Sequence, residues 1–242
     1  MKYNLHKKFK RIPLIIILCT LLISSLFSSC LKGSGPDVSS NPSSIVSALS
    51  VINASPDSPT LEFVLDNKRV QKFAYPDTKI KYFPVFLGYH LARIYEADKL
   101  YSPLYELELN LFQGKFYSVY IAGKKDTLTS LTVEDDINIP SSGNAKIRFI
   151  NLSPDASALN FYIKPDSVLA SNKKFKEYTS FQEVKAGNYN ASIKSYEGNS
   201  IDLPIDLKIE NGKIYTIWAK GLMETTVEEE TFGYSVVVHN LD

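Results

Sequence analysis

One stretch of this chain is written twice. Val51-Ile-Asn-Ala-Ser-Pro-Asp-Ser-Pro-Thr-Leu-Glu-Phe-Val-Leu65 aligns with Phe149-Ile-Asn-Leu-Ser-Pro-Asp-Ala-Ser-Ala-Leu-Asn-Phe-Tyr-Ile163, identical at seven of fifteen positions with an offset of 98. Two further blocks follow in the same order. Gly88-Tyr-His-Leu-Ala-Arg-Ile94 matches Gly187-Asn-Tyr-Asn-Ala-Ser-Ile193, and Leu109-Asn-Leu-Phe-Gln-Gly-Lys-Phe-Tyr117 matches Leu207-Lys-Ile-Glu-Asn-Gly-Lys-Ile-Tyr215. Collinear blocks at a near-constant offset mark an internal duplication, and this period is far longer than a solenoid unit. Each copy is therefore expected to be a domain, 45–134 and 145–242, joined by a polar, turn-rich linker at 135–144.

Inside each copy the apolar period is two. Leu107, Leu109 and Leu111 alternate with Glu108 and Asn110; Ile201, Leu203, Ile205, Leu207 and Ile209 alternate with mostly polar residues. Turn pairs such as Asp66-Asn67, Gln113-Gly114 and Asn211-Gly212 separate the runs. Short alternating strands with turns at this spacing predict an all-β chain, and no segment carries a sustained helical apolar face. The expectation is two tandem antiparallel β-sandwich domains, immunoglobulin/transthyretin-like.

The Asn-x-Ser-Pro-Asp block, followed by Leu-x-Phe, Gly-x-Tyr and Gly-Lys-x-Tyr, resembles the family named domain of unknown function (DUF) 4397. The resemblance covers about 45–134 and 145–242. The first copy departs from it, with His90 where the second has Tyr189 and a divergent segment from Lys79 to Phe86. It implies a β-sandwich module of secreted and lipid-anchored bacterial proteins, frequently in tandem, and it implies no activity.

The N-terminus reads as an address. Lys2, Lys7, Lys8, Lys10 and Arg11 precede an apolar run, Ile12 to Phe27, and then the small residues Ser28 and Ser29. That order is a secretory signal peptide, 1–29. Phe27-Ser28-Ser29-Cys30 resembles a lipobox of the Bacteroides-group type, which would make Cys30 an acylated N-terminus and tie the protein to a membrane. Residues 30–44 follow as a tether: of the 14 residues after Cys30, nine are Ser, Gly or Pro, a composition that cannot bury enough apolar surface to order itself. Leu31 lacks the aspartate of inner-membrane retention, so the cell envelope, with the outer membrane favoured, is the expected location. Which face it occupies is left open.

Cleavage there removes five of the 27 basic residues and leaves 22 against 26 acids, a net charge of −4. Nucleic acid is not an expected partner. Cys19 and His6 also go. The chain after Cys30 then has no cysteine and only His90 and His239, which excludes disulfides, cysteine–histidine metal sites and cysteine nucleophiles. No Gly-x-Ser-x-Gly elbow occurs. No catalytic, cofactor or metal residues are assigned.

The remaining polar candidates read as structure. Ser55-Pro56-Asp57 and Ser153-Pro154-Asp155 have turn chemistry, preferred over an oxygen-rich cation pocket of Asn53, Ser55 and Asp57. The runs Glu134-Asp135-Asp136 and Glu228-Glu229-Glu230 read as solvated loops. His90 takes the packing role of Tyr189. Aromatics are the one binding clue, and the divergent half of the first copy is rich in them. Tyr82, Tyr95, Tyr101 and Tyr105 are the candidate binding patch. The expected function is a non-catalytic binding or adhesion module for an unknown protein or glycan. The alternatives are a structural spacer and, less favoured, a carboxylate-dependent glycan hydrolase.

Overall fold

The computed structural model describes residues 46–76, 78–164, 167–198 and 200–239. The signal, Cys30 and tether expectations lie outside these residues. Among them, no helix is long and apolar enough to cross a membrane.

The first copy runs β1 (Val46–Asn53), β2 (Leu61–Leu65), β3 (Lys68–Phe73), β4 (Lys79–Phe86), β5 (Gly88–Glu96), β6 (Tyr105–Leu111), β7 (Phe116–Ala122) and β8 (Thr129–Glu134). The second repeats it as β9 (Asn144–Asn151), β10 (Leu159–Lys164), β11 (Ser167–Lys173), β12 (Gln182–Lys185), β13 (Gly187–Ser195), β14 (Asp202–Ile209), β15 (Ile214–Lys220) and β16 (Gly233–Val238). Each copy is a sandwich of two four-stranded sheets, β4-β1-β7-β8 on β3-β2-β5-β6, and β12-β9-β15-β16 on β11-β10-β13-β14. The duplicated blocks thus fall on equivalent strands.

The antiparallel expectation needs one amendment. β1 runs parallel to β7, and β9 to β15, while the other pairs are antiparallel. Parallel neighbours need a long crossover, and here the five strands β2 to β6, or β10 to β14, supply it.

Alternation decides the outer strands. In β6, Leu107, Leu109 and Leu111 are buried while Glu106, Glu108 and Asn110 face solvent; β14 repeats this with Ile205, Leu207 and Ile209. Pro84 and Pro204 lie in β4 and β14, both edge strands, where a missing N–H costs no ladder bond. Asp66 and Asn67 close the β2–β3 hairpin with φ of 48° and 64°, the paired positive φ of a type I′ turn. Each sandwich has its own core. Phe63, Ile94, Leu109 and Val119 lie in the first. Phe149, Phe161, Ile193 and Ile217 lie in the second, with the Phe149 and Phe161 rings stacked at 5.2 Å.

The central strands β1, β7, β9 and β15 do not alternate; nearly every residue in them is buried. Strands covered on both faces read as continuous apolar runs. Their inner faces fill the two cores. Their outer faces meet each other, with Ile52, Ala54, Tyr120 and Ala122 of the first copy packed with Ile150, Leu152, Trp218 and Val237 of the second. Lys79 Nζ donates to the Val238 carbonyl at 2.9 Å, and Lys176 Nζ to Thr129 Oγ1 at 2.9 Å. The two sandwiches are therefore joined by an apolar seam rather than by the linker alone.

Candidate functional site

The duplicated Asn-x-Ser-Pro-Asp motif closes one end of each sandwich. Asn53 Oδ1 accepts the Ser55 N–H at 3.0 Å, and Asn151 Oδ1 accepts that of Ser153 at 3.1 Å. Asp57 Oδ1 then accepts the Lys125 N–H at 2.8 Å, and Asp155 Oδ1 that of Met223 at 3.0 Å. Each aspartate thus ties the loop after the first strand to the loop after the seventh. The second loop passes so close to itself that only glycine fits at its bend. A Cβ on Gly123 would lie 2.5 Å from the Thr127 carbonyl oxygen, and one on Gly221 would lie 2.1 Å from that of Thr231. The motif is a structural clasp, and among the described residues no group of acids, histidines or cysteines is arranged to hold a metal. Asp155→Ala removes one hydrogen bond and should cost about 1 kcal/mol, read by chemical denaturation.

The acidic run at the linker is not a solvated loop. Glu134 pairs with Lys115, Asp136 pairs with Lys146, and Asp135 is fully buried against Arg148. Around that pair the seam holds a closed hydrogen-bond circuit. Arg148 Nε donates to Thr216 Oγ1 at 2.8 Å; Thr216 lies 2.7 Å from His239 Nε2; His239 Nδ1 lies 2.8 Å from the Tyr82 hydroxyl; and Tyr82 and Ser118 each donate to Asp135 Oδ2 at 2.6 Å. The direction of every proton follows. Tyr82 spends its single hydrogen on a carboxylate that can only accept. It must then accept from His239, so His239 carries its proton on Nδ1, and Nε2 accepts from Thr216. The ring is neutral. Burial is the main cause that pushes its pKa down to about 4; the Asp135 charge opposes this, while the Arg148 and Lys79 charges reinforce it. Burial, with the Asp135 charge, drives the Tyr82 phenol far upward. The Arg148 guanidinium lies 4.4 Å over the Phe181 ring. Every group is engaged by another, so the circuit is a joint between domains.

Tyr82 therefore belongs to the seam. Tyr105 packs half-buried against the first core, with its hydroxyl 3.2 Å from Ser130 Oγ. Tyr95 is half-buried on β5, opposite Glu62. Tyr101 alone of the four is open to solvent, 85% exposed. The structure does not bring the four onto one face, because Tyr82, Tyr95 and Tyr105 sit on strands and only Tyr101 sits in a loop.

Tyr101 stands in the loop 97–104 between β5 and β6. Leu100 and Leu104 are exposed in the same loop, which Ala97 N–H to Thr60 O (2.9 Å) and Leu104 N–H to Ile94 O (2.7 Å) hold in place. Beside it opens a cleft of roughly 510 Å³ lined by Asp57, Ser58, Pro59, Glu96, Leu104, Lys125 and Asp126. This volume is of ligand-pocket size. Two of its three carboxylates have structural partners: Asp57 caps the Lys125 loop, and Glu96 pairs with Lys99 at 2.6 Å. A polar cleft beside exposed apolar side chains can hold a polar ligand and pack against its flat faces. His90 has no place in it: Nε2 donates to the Phe86 carbonyl at 2.8 Å, where Tyr189 of the other copy donates to the Lys185 carbonyl at 2.6 Å.

Among solved structures, the chain is similar to a family 26 carbohydrate-binding module from Eubacterium rectale Amy13K, solved with maltoheptaose, at 11% identity and a TM-score of 0.25, covering 78% of this chain and 96% of that one. It is also similar to a candidate cell adhesion protein from Bacteroides eggerthii at 10% identity and a TM-score of 0.22, covering 81% and 95%. Likeness at this level bears on neither ligand nor role. Among curated proteins, none matches the sequence. The model of the Domain of unknown function (DUF4397) matches residues 47–162 and 153–233, an overlapping pair that together spans nearly all of both sandwiches. The chain belongs to the DUF4397 family.

Proposed function

We propose that this protein is an exported, lipid-anchored, non-catalytic module of the bacterial cell envelope that binds an extracellular or envelope partner through the Tyr101 end of its first domain. The observation that carries the binding reading is the exposed loop of Leu100, Tyr101 and Leu104 beside the polar cleft. Loops on a rigid sandwich are where binding residues concentrate, and a tyrosine supplies large contact area at low entropy cost. The ligand class is a glycan or a protein surface, since both present flat apolar patches edged with hydroxyls or amides. The anchor reading rests on the signal pattern ending at Cys30, and the outer membrane is its proposed location.

A glycan array and a pull-down with residues 45–242 test the binding. Tyr101→Ala should weaken capture about tenfold, as loss of an aromatic anchor does, with stability within about 0.5 kcal/mol of the parent. Capture that is indifferent to Tyr101→Ala and to changes at Leu104 refutes this site. The buried seam favours a second reading, a rigid spacer in an envelope assembly; it stands if neither glycan nor protein is captured. Cys30→Ala tests the anchor separately and should abolish palmitate labelling and membrane attachment.

A further inference from the structure

The opposite end of the first domain carries a second cluster of exposed rings. Phe86 is 69% exposed, Tyr89 81% and Phe112 59%, with Leu87 also open. They are neighbours through the backbone. Phe86 and Leu87 form the end of β4 and its turn, Gly88 pairs with Leu111 and Tyr89 with Asn110, and Phe112 follows directly. Buried apolar residues are the rule and single exposed ones are common, but four gathered at one end of a domain, on the rims of both of its sheets, call for an occupant.

The duplication supplies an internal control. Phe112 N–H donates to Tyr117 Oη at 3.4 Å, as Glu210 N–H does to Tyr215 Oη at 3.0 Å. Gly88 faces Leu111 as Gly187 faces Ile209, and Phe86 faces Val46 as Lys185 faces Asn144. By that equivalence Phe86, Leu87, Tyr89 and Phe112 correspond to Lys185, Ala186, Asn188 and Glu210, all exposed. The same fold is built with three polar residues and one alanine at these positions. The folded sandwich therefore does not require the rings.

The chain itself indicates what covers them. Val46 is the first residue of β1; its Cα partner is Phe86, and its carbonyl accepts the Gly114 N–H at 3.2 Å. The polypeptide from Cys30 thus enters the domain at the patch, after fifteen intervening residues. Only the copy that receives this segment carries the rings. Phenylalanine and tyrosine are side chains suited to the headgroup boundary of a bilayer. A lipid chain alone gives marginal attachment, and a second contact strengthens it.

We infer that Phe86, Leu87, Tyr89 and Phe112 form a lipid-contacting surface that seats the first domain on the bilayer to which Cys30 is anchored, turning the Tyr101 end away from it. This rests on the anchor reading above.

The test uses the full chain, expressed in a lipoprotein-exporting bacterium and reconstituted into phosphatidylethanolamine–phosphatidylglycerol vesicles with plain or brominated acyl chains. Trp218 is the only tryptophan and is fully buried, so it supplies a constant background. Phe112→Trp, with Tyr89→Trp as a second probe, should lose emission in brominated vesicles and shift to the blue. Tyr196→Trp, placed after β13 at the other end of the second domain, should do neither. Flotation of the unsubstituted chain reports the anchor independently. If the chain floats but both patch probes stay unquenched, the inference is wrong while the anchor stands. If it does not float, the anchor fails and the inference falls with it. Patch probes that respond to soluble envelope polysaccharide and not to brominated lipid assign the surface to a glycan and overturn the inference.

Discussion

Arg148→Ala should be among the most damaging single substitutions in this protein, lowering stability by about 3–5 kcal/mol, the usual cost of breaking a buried ion pair from one side. The physical reason is the company Asp135 keeps. Its side chain is fully buried, and that of Arg148 nearly so, at 2% exposure. Without the guanidinium, a carboxylate remains in the seam with only the Tyr82 and Ser118 hydroxyls to hold it. Thr216 also loses its donor from Arg148 Nε. Asp135→Ala strands the opposite charge and should cost a similar amount. The double variant should cost far less than the sum, because neither charge is then left alone. Guanidinium denaturation of the four proteins gives the cycle; additive losses would show that the two residues are not coupled. Because the pair bridges the linker and the second sandwich, Arg148→Ala should also separate the unfolding of the two domains, which calorimetry would record as a second transition.

Acid should weaken the same joint through His239. In the folded chain this ring is held neutral, with its pKa down at about 4, against about 6.5 in an unfolded chain. The unfolded state therefore takes up the proton first as pH falls. The stabilisation is complete above pH 6.5 and is lost progressively between 6.5 and 4, by roughly 3 kcal/mol in all. The circuit explains the resistance to protonation. Nε2 accepts the Thr216 hydroxyl, and a second ring proton would have to displace it while adding a charge beside Arg148. His239→Gln keeps a donor and an acceptor without the titration. Its stability should be flat across that window, whereas the parent's rises with pH. The carboxyl of Asp136, held below its ordinary range by the bond to Lys146, titrates lower and does not mimic this slope. A parent whose stability is level from pH 4 to 6.5 would mean that His239 is not the neutral acceptor described.

How much of this was legible beforehand depended on whether a signal was local. The duplication, the all-β class and the outer strands were legible, because alternation along Tyr105–Leu111 and Asp202–Ile209 reports directly which side chains meet a core. The turns at Ser55 and Ser153 are legible for the same reason, because Asn53 and Asn151 bond within two residues, but the Asp57 and Asp155 contacts to loops 68 residues away are not. The seam is not legible from neighbours in sequence, although it leaves a trace. Phe116–Ala122 and Ile214–Lys220 are apolar on both alternating faces but for Ser118, Thr216 and the terminal Lys220, the mark of strands covered on both sides, and Lys146 and Arg148 interrupt a third such run, Asn144–Asn151. Asp135 looked like one acid among three in a loop. Its burial depends on Arg148 and Tyr82, thirteen and fifty-three residues away.

Two equivalent sandwiches follow from the residues in order, since strand period, turn residues and repetition are properties of neighbours along the chain. Which rings face outward, and where, is settled by packing between distant segments. Tyr82, Tyr95, Tyr101 and Tyr105 look alike in one dimension. The packing of one sandwich on the other takes Tyr82 into a hydrogen-bond circuit, the first core takes Tyr105, and Tyr101 is left free. The same packing leaves Phe86, Tyr89 and Phe112 at the end where the chain enters, because exposure is set by what another part of the molecule covers, and composition carries no record of that.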